Sequence, residues 1–251
     1  MEKSRRNFLK NVGKVTAGAV TVMTVTPVSA EPKRRGGDPK HRWAMVIDLR
    51  KCIGCQACTV SCSMENVPPI GQFRTIVSQY EVKNVDKPGQ PVDYFMLPRL
   101  CNHCDNPPCI PVCPVQATYQ QEDGVVLIDN EVCVGCGYCV QACPYDARFI
   151  NEETKTADKC TFCYHRVRVG LLPACVESCV GGARIFGDVR DPNSEVSKLL
   201  DTNDVKVLRP EMNTKPHNYY IGMDEHFEGK VQGESPIWDI RNAKGEEIEE
   251  S

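Results

Sequence analysis

The run Cys133-Val134-Gly135-Cys136-Gly137-Tyr138-Cys139-Val140-Gln141-Ala142-Cys143-Pro144 constrains this chain more than any other stretch. Its C-x₂-C-x₂-C-x₃-C-P spacing lets three thiolates point inward around an object a few ångströms wide. In runs of this kind three thiolates hold three corners of an iron–sulfur cubane, and the fourth, here Cys143, ligates a different cluster. Gly135 and Gly137 let the backbone wrap closely. Pro144 has no N–H to donate and ends the loop.

Three further quartets follow related rules. Cys52, Cys55, Cys58 and Cys62 repeat C-x₂-C-x₂-C-x₃-C without the proline. Cys101, Cys104, Cys109 and Cys113 are spaced C-x₂-C-x₄-C-x₃-C-P. Cys160, Cys163, Cys175 and Cys179 carry a long spacer, residues 164–174, made basic by His165, Arg166 and Arg168. That spacer reads equally as a solvated loop or as a docking surface for an acidic partner. A short apolar run enters the loop twice, at 44–48 before Cys52 and at 125–129 before Cys133, so a strand feeding a cluster loop is duplicated at domain scale. Between the first two quartets, 76–85 and 92–97 alternate as a hairpin joined by Asp86-Lys87-Pro88-Gly89. Alanine stands four residues beyond three of the fourth cysteines, at Ala117, Ala147 and Ala183, as a short helical turn packed on a cluster requires. Asn66 departs from that pattern.

Sixteen cysteines in 251 residues must either cross-link the chain or hold metal. C-x₂-C-x₂-C packs thiols too closely for a simple disulfide scheme in four repeated groups. A zinc ribbon wants two C-x₂-C pairs across a longer loop. The last quartet alone approaches that, so a zinc-stapled structural protein stands as the rival from another class. The other three could not pass for a zinc ribbon, and four quartets with ferredoxin spacing point to four [4Fe–4S] clusters. The formal net charge of −3 gives no sign of nucleic-acid binding. Four oxidised clusters ligated by thiolates add about eight negative charges, which gives Lys51, Arg99, Arg148, Lys159 and Arg184 an electrostatic reason to stand near the cysteines. His103, ringed by cysteines, reads as a surface or supporting residue rather than a ligand. No nucleophile elbow, phosphate loop or dinucleotide fingerprint accompanies the clusters, so the chain reads as a non-catalytic conduit for electrons.

Residues 1–30 read as a twin-arginine signal peptide, with Arg5-Arg6, an apolar run at 12–28 too polar for a stable span, and a small-residue cleavage site at Val28-Ser29-Ala30. The twin-arginine route carries folded proteins and leads to the periplasm. Residues 31–43 read as a linker. Beyond 187 no cysteine occurs; 194–200 suggests a capped helix, 205–208 a strand and 244–251 an acidic tail. No apolar run near 20 residues follows the signal, so no direct membrane span is expected.

The chain resembles the iron–sulfur subunits of molybdopterin oxidoreductases related to dimethyl sulfoxide reductase. The match rests on the twin-arginine start, on residues 47–56 and 97–109, on Cys143-Pro144-Tyr145-Asp146-Ala147-Arg148-Phe149-Ile150 and on residues 157–163. Within this family it is most similar to the subunits that serve tetrathionate reductases. Relatives that serve polysulfide, thiosulfate or nitrite reductases share the ligand pattern. The resemblance implies an α+β fold of two ferredoxin-like modules, of the bacterial 8Fe-8S type, with pseudo-two-fold symmetry, a hairpin insertion and a C-terminal extension. It implies an outer module of 44–100 with 151–187, an inner module of 101–150, and an extension of 188–251. It also implies a nested pairing of quartets. Cluster 1 falls to Cys52, Cys55, Cys58 and Cys179, and cluster 2 to Cys160, Cys163, Cys175 and Cys62. Cluster 3 falls to Cys101, Cys104, Cys109 and Cys143, and cluster 4 to Cys133, Cys136, Cys139 and Cys113. The implied partners are a molybdopterin-containing catalytic subunit and a quinol-oxidising integral membrane anchor.

Overall fold

The computed structural model describes residues 34–83 and 92–223. The expected export signal, the expected acidic tail and the expected turn at 86–89 lie outside the described residues.

The architecture is α+β, with short helices and four small sheets built around cysteine loops. Strand β1 (Trp43–Asp48) is apolar on both sides because both of its faces are covered. It pairs antiparallel with β8 (Arg184–Asp188), setting Val46 opposite Ile185, and parallel with β10 (Asn218–Ile221), setting Val46 opposite Tyr219. Strand β9 (Val205–Lys206) closes the far edge.

The alternation of β1 decides what each face touches. Ala44 and Val46 pack with Ile185 and Ile221 against Val196 of the helix α5 (Glu195–Thr202). Met45 and Ile47 point the other way, into a core that includes Cys58, Cys101, Cys104, Cys160 and Cys175. Each fully buried side chain of this size contributes about 1.5–3 kcal/mol. The central sheet is therefore a plate with a helix on one side and thiols on the other. Helix α5 begins where the sequence suggests, capped by the Ser194 hydroxyl accepting from the Ser197 N–H at 3.0 Å.

In the hairpin of β2 (Thr75–Lys83) and β3 (Val92–Leu100) the second strand runs three residues beyond the expected 92–97 and delivers Cys101 from its end. It covers the first cysteine loop: the Gln56 amide donates to the Val77 carbonyl at 3.0 Å. Two further hairpins, β4 (Thr118–Gln120) with β5 (Val126–Ile128) and β6 (Arg148–Ile150) with β7 (Ala157–Lys159), join the second quartet to the third and the third to the fourth. The remaining helices are α1 (Ala57–Asn66), α2 (Tyr138–Gln141), α3 (Tyr164–Val167) and α4 (Ala174–Glu177), and each carries cysteines or borders them.

Two stretches are more integral than their composition suggests. Residues 34–42 are tied down: the Arg35 N–H donates to the Gln120 carbonyl at 2.9 Å, and Arg42 is buried with its guanidinium on Asp105 at 2.5 Å. The region after 188 supplies two strands, β9 and β10, to the central sheet. Asn218 donates from its side chain to the Cys101 carbonyl at 3.0 Å, and the His217 N–H to the Asn102 carbonyl at 2.9 Å, so β10 braces the second cysteine loop. The suggested strand at 205–208 stops at Lys206, because Leu208 turns into the thiol-side core. Among the described residues, no helix is long and apolar enough to cross a membrane.

Candidate metal-cluster sites

All four loops share one backbone device. The residue before the second cysteine is left-handed in each: Gly54 at φ +69°, His103 at +43°, Gly135 at +67° and Phe162 at +53°. The turn inverts the chain so that successive thiols face the same side. At Gly135 a Cβ would meet the Lys155 carbonyl oxygen at 2.1 Å, so close approach as well as φ demands glycine there, whereas at Gly54 it would meet Met96 Sδ at 2.6 Å, on a side chain that can shift. His103 and Phe162 adopt the same conformation with bulky side chains, and their rings stack at 3.8 Å. His103 is therefore not a surface residue. It is fully buried, its Nδ1 accepts from the Val126 N–H at 3.0 Å, and burial aided by the Lys159 charge pushes its pKa well down.

The structure brings thiols together across quartets. Cys52, Cys55 and Cys58 share a cleft of about 340 Å³ with Cys179, lined also by Gln56 and Arg184. Cys160, Cys163 and Cys175 share a second cleft, of about 280 Å³, with Cys62, lined also by Asn66 and Arg74. Cys101, Cys104, Cys109 and Cys143 are close enough to perturb one another. Burial, then the neighbouring thiols Cys101, Cys109 and Cys143, push the Cys104 thiol up to about 12. Cys139 packs in one core with Cys109 and Ala157, and Cys133 lies at its margin. Cys113 is only partly buried, and amides of Thr118, Ala117 and Val115 outweigh that burial to hold its pKa down. All sixteen cysteines are free, and only Cys55 and Cys136 are exposed. Among the described residues, no three Cys, His, Asp or Glu side chains draw together closely enough to share one metal ion. In each of the two clefts, four cysteines line one shared space.

The alanines four residues on act through their backbones rather than by packing alone. The Ala183 N–H donates to Cys179 Sγ at 3.2 Å, and the Ala117 and Ala147 amides do the same for Cys113 and Cys143. Asn66 stands at the equivalent place after Cys62, but helix α1 continues there. Its side chain takes over the role, with Nδ2 3.5 Å from Cys62 Sγ and 3.6 Å from Cys163 Sγ. Backbone donors also reach Cys160 from Phe162 and Cys133 from Ala157, each at 3.4 Å.

As bare thiols Cys62, Cys109 and Cys160 resist ionisation. Burial first, and then mutual repulsion, push Cys62 up to about 12, Cys109 up to about 11 and Cys160 well above the ordinary thiol value. A polynuclear metal core neutralises such thiolates and makes their burial tolerable. The walls carry matching cations. Arg184 and Arg148 are buried, and thiolates outweigh the burial penalty to raise both pKa values. Arg184 Nη1 and Arg74 Nε, in the walls of the two clefts, are buried without a hydrogen-bond partner. Unpaired donors facing thiol cages suit an anionic occupant, so the residues present fit iron–sulfur clusters.

The basic spacer is partly paired within the chain. Arg166 pairs with Glu65 at 3.0 Å and with Glu177, and His165 contacts Glu65 at 2.7 Å, so these charges knit α3 to α1 and α4. Of the five cations singled out near cysteines, Lys51 is exposed, and Arg99 donates to the Tyr145 carbonyl at 3.1 Å.

Residues 92–189 match a family model described as a 4Fe-4S dicluster domain, and residues 43–64 match a 4Fe-4S binding domain. The chain is 59% identical to a tetrathionate reductase subunit of Salmonella typhimurium, over 93% of this chain and 94% of that protein. It is 45% identical to a tetrathionate reductase subunit of Archaeoglobus fulgidus, over 74% and 89% respectively. It is 43% identical to a putative dimethyl sulfoxide reductase iron-sulfur subunit of Halobacterium salinarum, over 71% and 78%.

Proposed function

Because this chain belongs to the family of 4Fe–4S dicluster electron-transfer subunits related to those of dimethyl sulfoxide reductase, we propose that it relays electrons to a molybdopterin-containing subunit that reduces tetrathionate to thiosulfate. The electrons come from quinol oxidised at an integral membrane anchor. The relay runs through four [4Fe–4S] clusters with the ligand sets assigned above as clusters 1 to 4. When bound, such a cluster exchanges one electron at a potential within roughly −700 to +450 mV. The chain's own residues decide where in that span each falls: they bury the thiols, donate N–H groups to sulfur and place cations in the walls.

One observation carries the ligand assignment. Cys179 shares its cleft with Cys52, Cys55 and Cys58, and Cys62 shares its cleft with Cys160, Cys163 and Cys175. That exchange of fourth thiols is the signature of paired ferredoxin clusters. It supports two ferredoxin-like modules, the outer from the first and fourth quartets and the inner from the second and third. The exposed thiols Cys55 and Cys136 belong to clusters 1 and 4, which makes those two the ports at which electrons enter and leave. The arginine pair at Arg5-Arg6 supports export of the folded, cluster-loaded chain to the periplasm.

The test is to purify the chain anaerobically with its partner subunits and supply reduced quinol. Tetrathionate should be the preferred acceptor over polysulfide, thiosulfate and nitrite, and the isolated chain should reduce none of them. Preference for another acceptor would reassign the substrate and leave the relay in place.

A further inference from the structure

Three cations are buried outright among the cysteines, and none of them is a ligand. Arg184 lies on the thiol-facing side of β8, two residues from Phe186. It lines the cleft of Cys52, Cys55, Cys58 and Cys179, its charge acts on the Cys175 thiol of the other cleft, and it donates to Thr75 Oγ1 at 2.8 Å in that cleft's wall. Lys159 has no exposed surface at all. Its ammonium donates to the carbonyl of Cys160 at 2.7 Å and to that of Val126, which packs with Cys109. Thiols Cys101, Cys160 and Cys109 all feel its charge. Arg148 donates to Cys109 Sγ at 3.0 Å, and Cys139 packs in the same core as Cys109.

In each case the cation is buried between loops that carry the ligands of two clusters. Arg184 faces clusters 1 and 2, Lys159 faces clusters 2 and 3, and Arg148 faces clusters 3 and 4. We propose that these three side chains are shared charges, one at each junction of a 1–2–3–4 series, and that each sets the potentials of both clusters beside it together. This rests on the four-cluster reading above. The physical reason is Coulombic. A reduced cluster carries one more negative charge, and a buried cation stabilises it across a poorly screened gap. A cation bonded to one cluster alone pulls that cluster's potential away from its neighbour's. One placed between two raises both and keeps the step between them shallow.

Lys159→Met tests this in the intact complex, because the ammonium bonds carbonyls and touches no sulfur. EPR-monitored redox titration should show clusters 2 and 3 both harder to reduce, each by about tenfold in its reduction equilibrium, or about 59 mV for one electron. Clusters 1 and 4, identified through Cys55→Ser and Cys136→Ser, should not move. Lys159→Arg, which keeps the charge, should restore both potentials. A shift of one cluster, of none, or of all four alike would overturn the proposal. If Lys159→Met fails to load clusters, Arg148→Gln takes its place and should lower clusters 3 and 4 as a pair. Loss of clusters in both variants would make these residues staples and overturn the proposal equally. Iron and acid-labile sulfide in the unmutated complex keep the two readings apart: about sixteen of each per chain upholds the four clusters whatever the potentials do.

Discussion

The rings of His103 and Phe162 stack with centroids 3.8 Å apart and planes 25° from parallel, joining the second cysteine loop to the fourth. Each residue sits before the second cysteine of its loop with positive φ, a conformation that costs a bulky side chain on the order of 1–3 kcal/mol. The stack, with Phe162 set edge-on to Phe186 at 5.3 Å, offsets that strain.

Phe162→Ala should therefore lose about 3–5 kcal/mol, the usual cost of emptying a buried phenylalanine site. Phe162→Gly should lose less than Phe162→Ala, although glycine normally destabilises, because it relieves the left-handed backbone. Urea unfolding of the cluster-loaded protein decides the order. A glycine variant weaker than the alanine variant would mean that the backbone there is not strained.

Gly135 and Gly137 give a matched pair. A methyl at Gly135 collides with the Lys155 carbonyl, whereas one at Gly137 meets nothing within 4 Å. Gly135→Ala should fail to hold cluster 4, and iron content should fall by about four per chain. Gly137→Ala should keep its iron and lose only about 1 kcal/mol of stability. Equal iron in the two variants would remove the steric argument.

Asn66 replaces a backbone donor with a side-chain one. Asn66→Leu takes two N–H···S contacts from cluster 2 and should make that cluster alone harder to reduce, by up to about tenfold, or 59 mV. Redox titration of the complex checks it. A paired shift of two clusters would mark Asn66 as a junction residue instead.

Asp105 ties three separate stretches together through Arg42 at 2.5 Å and His217 at 3.0 Å. Burial alone would raise its carboxyl, but the His217 hydrogen bond and the charges of His217 and Arg42 hold it down at about 2. A carboxylate with a depressed folded pKa adds stability above its unfolded value, about 3.9, and loses it as pH falls through the folded one. The stability advantage of the natural chain over Asp105→Asn should shrink as pH falls between pH 4 and pH 2, where the carboxylate is protonated. Taking the difference between the two proteins cancels acid loss of the clusters themselves. An advantage unchanged down to pH 2 would show that the charge is not what matters.

The cysteine spacing made the thiol loops legible, and the apolar runs at 44–48 and 125–129 marked the strands that enter them. Spacing governs loops because it is local. The role of Asn66 was hidden for the opposite reason: only the continuation of helix α1 turns its side chain onto Cys62 and Cys163. His103 and Phe162 gave no sign of positive φ, since glycine signals that conformation and these residues do not. Strand β10 and the tied segment 34–42 are set by long-range pairing that no periodicity announces. The ion pairs of the basic spacer could not be read because its partners, Glu65 and Glu177, lie on other helices.

Iron and acid-labile sulfide, measured on the anaerobically purified chain, test most directly whether the sixteen thiols hold cubanes. About sixteen iron and sixteen sulfide per chain, with a brown colour and a paramagnetic signal after dithionite, is the expected result. About one zinc per quartet without sulfide, or a colourless protein with cystine bridges, would contradict it.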